Sequence, residues 1–467
     1  METGKHGLKR ELKLWDLVPM QVILIVGLTW TGFAAKQGSS QIVLWLLAIV
    51  LFYLPLAAVV MKLSRAMPVE GGVYQWVRAG ISPFAGYMAG WSLTVLIVTA
   101  YASFGSVLAN GIAYTSGPGG AWMATSKPFA LALTALGCLI AYVLNVRGLH
   151  AAKWLSSAGS VLTIATFLVM LYLLARAWTI SIPPAHAASF SLAWPGFTFT
   201  TLNVFTKMAL GGLSGFDQSA VFSEECRKPE NDVARSVLIA APLIALMYIL
   251  GTSAILAYTA PANVDLAAPV GQIMQAGFGV TGLGRAMAAT TVWAFNIGFL
   301  AAAVITVGMV ARLPMVAGWD GLLPEWWSTL HPRFRTPTKA IAAVTICVFV
   351  LGVLSLLGAG NQEAVQVTLA AGIGAICIQY MLLFGAILFG FRSHARPGWG
   401  IRLAALAALL VSLVSLIFEL LPSGDVADAK VFAVKVAAVI VASNGVGAYL
   451  YWRGTQRVRA VAATAEV

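Results

Sequence analysis

Gly27-Leu28-Thr29-Trp30-Thr31-Gly32-Phe33 and Gly211-Gly212-Leu213-Ser214-Gly215-Phe216 are the two stretches that decide the fold. Each lies inside a long apolar run, and each ends in a hydroxyl residue followed by Gly-Phe. Glycine in a helix interior costs about 1 kcal/mol relative to alanine, so these are the places where a helix is weakest. Such glycines also let helices pack closely. A matched pair, with Asp217 directly after the second stretch, favours unwinding at both places. The two runs are the first and sixth of the chain, an odd number apart, so they cross in opposite directions. Broken helices at corresponding positions of two opposed halves are the sign of an inverted repeat.

Working outward, the chain has 467 residues, of which 60% are hydrophobic and 10% charged, with mean hydropathy +0.86. A soluble domain carries about 25% charged residues. The composition excludes a soluble globule and a disordered chain, and implies an all-α polytopic membrane protein. Apolar runs at 17–35, 41–61, 83–109, 128–145, 154–175, 197–223, 236–259, 286–311, 340–358, 364–390, 401–421 and 429–451 make twelve expected transmembrane helices. Each is long enough to cross the ~30 Å hydrocarbon layer as a helix. The expected organisation is an N-terminal segment 1–16, a first repeat 17–175 and a second repeat 197–390. Two further spans lie within 401–451, and a tail occupies 452–467.

The net charge is +12. Basic residues are dispersed through short connections and have no aromatic interleaving, which argues against nucleic acid. With the N-terminus in the cytoplasm, 22 of the 29 Lys and Arg fall on the cytoplasmic side and six on the other, and Lys207 stays within a span. That asymmetry is what the positive-inside rule requires. It places both termini in the cytoplasm of a cell whose cytoplasmic membrane, a bacterial inner membrane, holds the chain. The charged first sixteen residues, and an apolar run with no small-residue cleavage motif after it, indicate no cleavable signal peptide.

Cys138, Cys226, Cys347 and Cys377 form no CxxC pair, and His6, His150, His186, His331 and His394 lie in loops or at span ends. Neither set suggests a metal site. HExxH, GxSxG and P-loop motifs are absent, which argues against an enzyme and against ATP-driven transport. A channel would show repeated pore rings, whereas this chain shows one paired break. No cofactor is expected beyond H+ or Na+ as a coupling ion, and oligomeric state is not legible.

A helix broken at mid-membrane leaves backbone groups that must line a cavity. The start of the second half of span one offers free N–H groups and a positive dipole end, placing a substrate carboxylate against Thr31, Gly32 and Phe33. Carbonyl ends near Gly27 and Gly211 suit an ammonium group. Thr29, Trp30, Gly212, Leu213 and Ser214 complete the candidate binding set, with Trp30 a candidate gate. An acidic residue inside a core span is functional by default, so Asp217 reads as functional. The alternative is a carboxylate that holds the break by bonding to the backbone. Lys207, ten residues earlier, either attracts an acidic substrate side chain or snorkels to the surface. Thr306 in span eight is a candidate lining residue. Glu224, Glu225, Arg227 and Arg235 read either as a cytoplasmic ion network that opens during transport or as a solvated helix end. Glu419 reads as interfacial.

Further motifs add a resemblance. Pro68-Val69-Glu70-Gly71-Gly72-Val73-Tyr74-Gln75-Trp76-Val77 with Ser82-Pro83-Phe84-Ala85-Gly86-Tyr87, then Gly215-Phe216-Asp217 with Glu224-Glu225 and Pro229, then Asp320-Gly321-Leu322-Leu323-Pro324 with His331-Pro332-Arg333, occur in order. The set resembles the amino acid–polyamine–organocation (APC) transporter superfamily. Its first-span sequence is closest to the branch of glutamate/γ-aminobutyrate exchangers and related bacterial permeases. The resemblance implies a LeuT-like core of two five-helix inverted repeats with two additional C-terminal helices. It implies secondary transport of amino acids, by proton coupling or by exchange. It also implies an acidic residue at the place of Asp217, which makes Asp217 a gate or proton acceptor, and a polar substrate contact at Tyr101. A polyamine, choline or other amine carrier of the same fold is the alternative, and a non-transporting receptor or subunit is a second.

Overall fold

The first apolar run winds as α1 (Leu14–Ile25), stops over residues 26–28, and resumes as α2 (Thr29–Ala35). A computed structural model describes residues 13–67, 72–179, 191–218, 229–316, 322–391, 397–424 and 426–465. Beyond the first run, helices follow one another as α3 (Gly38–Ala66), the amphipathic α4 (Val73–Gly80), α5 (Pro83–Thr115), α6 (Lys127–Arg147) and α7 (Leu149–Thr179). The sixth run begins as α8 (Phe199–Thr206) and continues as a π-helical turn (Lys207–Gly212). It loses helical form at residues 213–215, and Gly215 has φ +118°. That conformation is open to glycine at no steric cost.

The second half continues through α9 (Pro229–Tyr258), α10 (Pro269–Phe278), α11 (Gly282–Val316), α12 (Thr338–Ser355), α13 (Asn361–Gly385), α14 (Trp399–Phe418) and α15 (Ala429–Ala465). No strand occurs among the described residues. Among the described residues, ten helices are long and apolar enough to span a bilayer. The other two expected spans are the interrupted segments, α1–α2 and α8 with its π turn. The expected tail from 452 is a continuation of α15, which stays helical to Ala465.

Packing sorts these helices into a centre and a rim. The apolar windows of α5 and α11 are 78% buried, whereas those of α14 and α15 are 22% buried. α13 packs along α5, α7 along α11, and α1 against α9. The interrupted segments meet in the middle, where α2 lies against the π turn of the sixth run. The side on which α1 begins is the near face below, and the opposite side the far face.

Candidate functional site

The break in the first run is built from its own turn bonds. The amide of Trp30 donates to Gly27 O at 2.9 Å and that of Thr31 to Leu28 O at 3.2 Å. The Thr31 hydroxyl turns back onto Leu28 O as well. Among the described residues, the amides of Leu28 and Thr29 in this break have no backbone acceptor. A tyrosine from α9 fastens the other end. Tyr248 donates to Ile25 O at 2.6 Å, accepts from the Gly27 amide at 3.2 Å, and stacks on Trp45 with ring centroids 4.6 Å apart.

Trp30 occupies the space between the two breaks. A Cβ on Gly211 would lie 2.7 Å from its ring, and one on Gly27 would lie 2.9 Å from it. Glycine at both positions is therefore what lets the indole lie there. Gly27, Thr29, Trp30 and Gly211 are half-buried, the most accessible residues of the two breaks. The other residues expected to bind substrate are packed away. Thr31 faces Gly251 of α9, Gly32 sits 2.8 Å (by its would-be Cβ) from Pro269 of α10, and Gly212 lies against Trp45. Phe33 and Leu213 are fully buried, and the Phe33 ring lies tilted against Trp30 with centroids 5.5 Å apart. Residues 31–33, expected to seat a carboxylate, are thus buried in the wound part of α2.

Alanine at Gly211 should displace the indole, and overpacking of this kind costs about 1–3 kcal/mol. We expect Gly211→Ala to lower the apparent substrate affinity, and the added substitution Trp30→Phe to recover part of it, in a binding titration. Tyr248→Phe removes both bonds to the break. A net loss of about 1 kcal/mol corresponds to roughly fivefold weaker binding with the fold retained.

The second break carries Asp217, which is 2% exposed. Gln379 Nε2 donates to its Oδ2 and the Tyr380 hydroxyl to its Oδ1, both at 2.7 Å, and both donors sit on α13. The same Tyr380 oxygen accepts from the Gly215 amide at 3.1 Å. Asp217 also lines a small cleft with Val73 and Tyr74 of α4, Ala89 and Leu93 of α5, and Leu313 of α11. Among the described residues no cationic side chain pairs with it. The donors it has among the described residues are therefore neutral.

Lys207 points elsewhere. Its Nζ lies 3.2 Å from Glu419 Oε2 just beyond the end of α14, and the two side chains are 2% and 0% exposed. It also donates to Asn203 Oδ1 at 3.3 Å. Asn203 in turn donates to Phe418 O and Leu421 O, both at 2.8 Å, and meets the Ser423 hydroxyl. The sixth run thus reads the carbonyl end of α14, where a cation is favoured. Lys207 is paired rather than snorkelling, and Glu419 is buried where an interfacial position was expected.

Tyr101 and Thr306 come together, within hydrogen-bond reach of each other. Tyr101 packs on Phe299 and lines an apolar cavity with Phe104, Thr134, Cys138 and Val348. Ser214 is buried within reach of Tyr380. Arg235 is exposed on α9, and Glu224, Glu225 and Arg227 lie outside the described residues. Sequence reasoning missed Tyr248, Gln379 and Tyr380. The signal was there in principle, since polar groups within a span mark function.

The chain is similar to known proteins over most of its length. The family model described as amino acid permease matches residues 12–443. An uncharacterized transporter of Legionella pneumophila is 24% identical over 81% of this chain and 81% of its own length. The branched-chain amino acid permease BcaP of Bacillus subtilis is 24% identical over 72% of this chain and 73% of its own. The crystal structure of MhsT in complex with L-phenylalanine superposes with a TM-score of 0.64 at 16% identity, covering 90% of this chain and 99% of that one. The fold is therefore the LeuT type.

Proposed function

Because the chain belongs to the amino acid permease family, we propose that this multi-pass membrane transporter moves amino acids by alternating access. The observation that carries the reading is the pair of adjacent helix breaks, with Trp30 held between Gly27 and Gly211. Unpaired amides at the start of α2 form the positive end of a helix, which attracts a carboxylate. Carbonyl ends at the breaks take the ammonium group, as in discontinuous transporter helices. The near face is the cytoplasm, by the distribution of Lys and Arg. The repeats run over 17–175 and 197–390.

Asp217 supplies the coupling. A buried carboxylate with only neutral donors is favoured when a proton or a sodium ion cancels its charge, and the cleft beside it gives that cation a path. Tyr380 joins Asp217 to the Gly215 amide, so the charge state of Asp217 acts directly on the second break. The test is uptake of labelled amino acids into proteoliposomes under an imposed pH or sodium gradient. Concentrative uptake driven by either gradient, or exchange against internal substrate, supports the reading. Vesicles that contain folded protein and take up none of the amino acids would remove it.

A further inference from the structure

Gln379 of α13 is 0% exposed, yet it uses one end of its amide and not the other. Nε2 donates to Asp217 Oδ2 at 2.7 Å, while Oε1 has no hydrogen-bond partner among the described residues. A buried acceptor left without a donor is costly, so this one calls for a reason. Gln379 and Asp217 line the same cleft, whose wall is otherwise mostly apolar, with Val73, Ala89, Leu93 and Leu313. It has room for about one water molecule. Tyr74 is the other polar side chain on the wall, and its hydroxyl lies 3.5 Å from Arg78 Nη1. The Tyr380 hydroxyl is committed between Asp217 and the Gly215 amide.

Resting on the permease reading, we propose that the coupling cation is a proton carried on Asp217 Oδ2, and that Gln379 positions it by turning its amide end for end. In the charged state the carboxylate accepts from Nε2. Once Oδ2 takes a proton from water in the cleft it becomes a donor, and Nε2 opposite it is a donor too. A half-turn about the last side-chain bond, a soft twofold torsion, brings Oε1 round to accept from Oδ2. Nε2 then occupies the place that Oε1 held. Because Oε1 is tied to nothing, the turn breaks one bond and no other. The proton comes from water on one face and returns to water on the other, and the carboxylate goes from charged to neutral and back. Sodium fits poorly, since a hard cation takes about six oxygen ligands and the side chains of the wall supply those of Asp217, Gln379 and Tyr74. The titratable and charged groups around Asp217 are Tyr380 on α13 and Tyr74 with Arg78 on α4. Arg312, next to Leu313 on α11, turns to Gly308 O at 3.1 Å, and Tyr53 of α3 packs on Phe216. α5 brings Ala89, Gly90 and Leu93, so Asp217 is the one carboxylate among the described residues of the cleft.

The experiment uses the full chain in proteoliposomes loaded with a pH-sensitive dye and given a mixture of labelled amino acids. In the wild type we expect an inward pH gradient to drive uptake with acidification of the lumen, and a sodium gradient at equal pH to add nothing over a choline gradient. Gln379→Met keeps the length of the side chain and removes both ends of the amide. It should lower proton-driven uptake at least about fivefold more than it lowers exchange against internal substrate, the size of one lost hydrogen bond. Uptake driven by sodium overturns the inference, as does exchange with no response to a pH gradient, and either leaves the transport reading standing. Equal losses of both modes in Gln379→Met, or no loss of the proton-driven mode, overturn the role of Gln379. Folded protein that neither takes up nor exchanges any amino acid removes the transport reading and this inference with it.

Discussion

Asp217→Asn is expected to lower uptake at least tenfold while the folded protein accumulates to the wild-type level. The amide keeps the shape of the carboxylate and still accepts the bond from Tyr380 at its oxygen, while its NH2 donates to Gln379 once that side-chain amide flips to present Oε1. It cannot take a proton or attract a cation, so only the charge-dependent step is lost. A tenfold loss corresponds to about 1.4 kcal/mol at the rate-limiting barrier. Initial-rate uptake and size-exclusion profiles of the same preparation provide the measurement. Wild-type rates in the variant would return Asp217 to a purely structural role at the break. Exchange without a gradient should suffer less than gradient-driven uptake, because only the latter needs the coupling cation.

Lys207→Met should destabilise the protein by about 3–5 kcal/mol, since it strands Glu419 in a dry position. The double variant Lys207→Met/Glu419→Leu should regain wild-type stability or exceed it, because apolar replacement of a buried pair is often neutral or stabilising by about 1–4 kcal/mol. Melting temperatures of the single and double variants decide the matter. If the single substitution melts like the wild type, the contact at 3.2 Å contributes nothing. Persistence of the single variant's defect in the double variant would assign Lys207 a task beyond pairing.

The fold was legible because composition and glycine placement speak directly to it. An apolar run of twenty residues has few alternatives in lipid, and paired glycines inside two such runs mark where helices fail. The exact turn was less legible. Sequence shows where a helix is weak, not which residue first resumes it, and α2 restarts at Thr29. Residues 31–33 thus belong to a wound helix packed on α9 and α10. Tyr248 and Tyr380 went unnoticed because an aromatic ring in a span serves packing as readily as hydrogen bonding. Only the neighbouring backbone, contributed by a distant run, distinguishes the two uses. Lys207 and Glu419 are 212 positions apart, and each alone allows a surface reading. Opposite charges in two spans can cancel only when the fold brings those spans together, and here the end of α14 is what meets the sixth run.

The π turn at Lys207–Gly212 has an evolutionary consequence. A π turn holds one residue more than an α turn, and each residue of an α-helix advances the azimuth by about 100°. Deleting a single codon within that turn would relax it to α geometry and swing the preceding side chains round the axis. The Lys207 ammonium group would then leave its buried partner Glu419. The extra residue of the turn is thus tied to the charge pair, and a lineage could lose the one only by replacing the other.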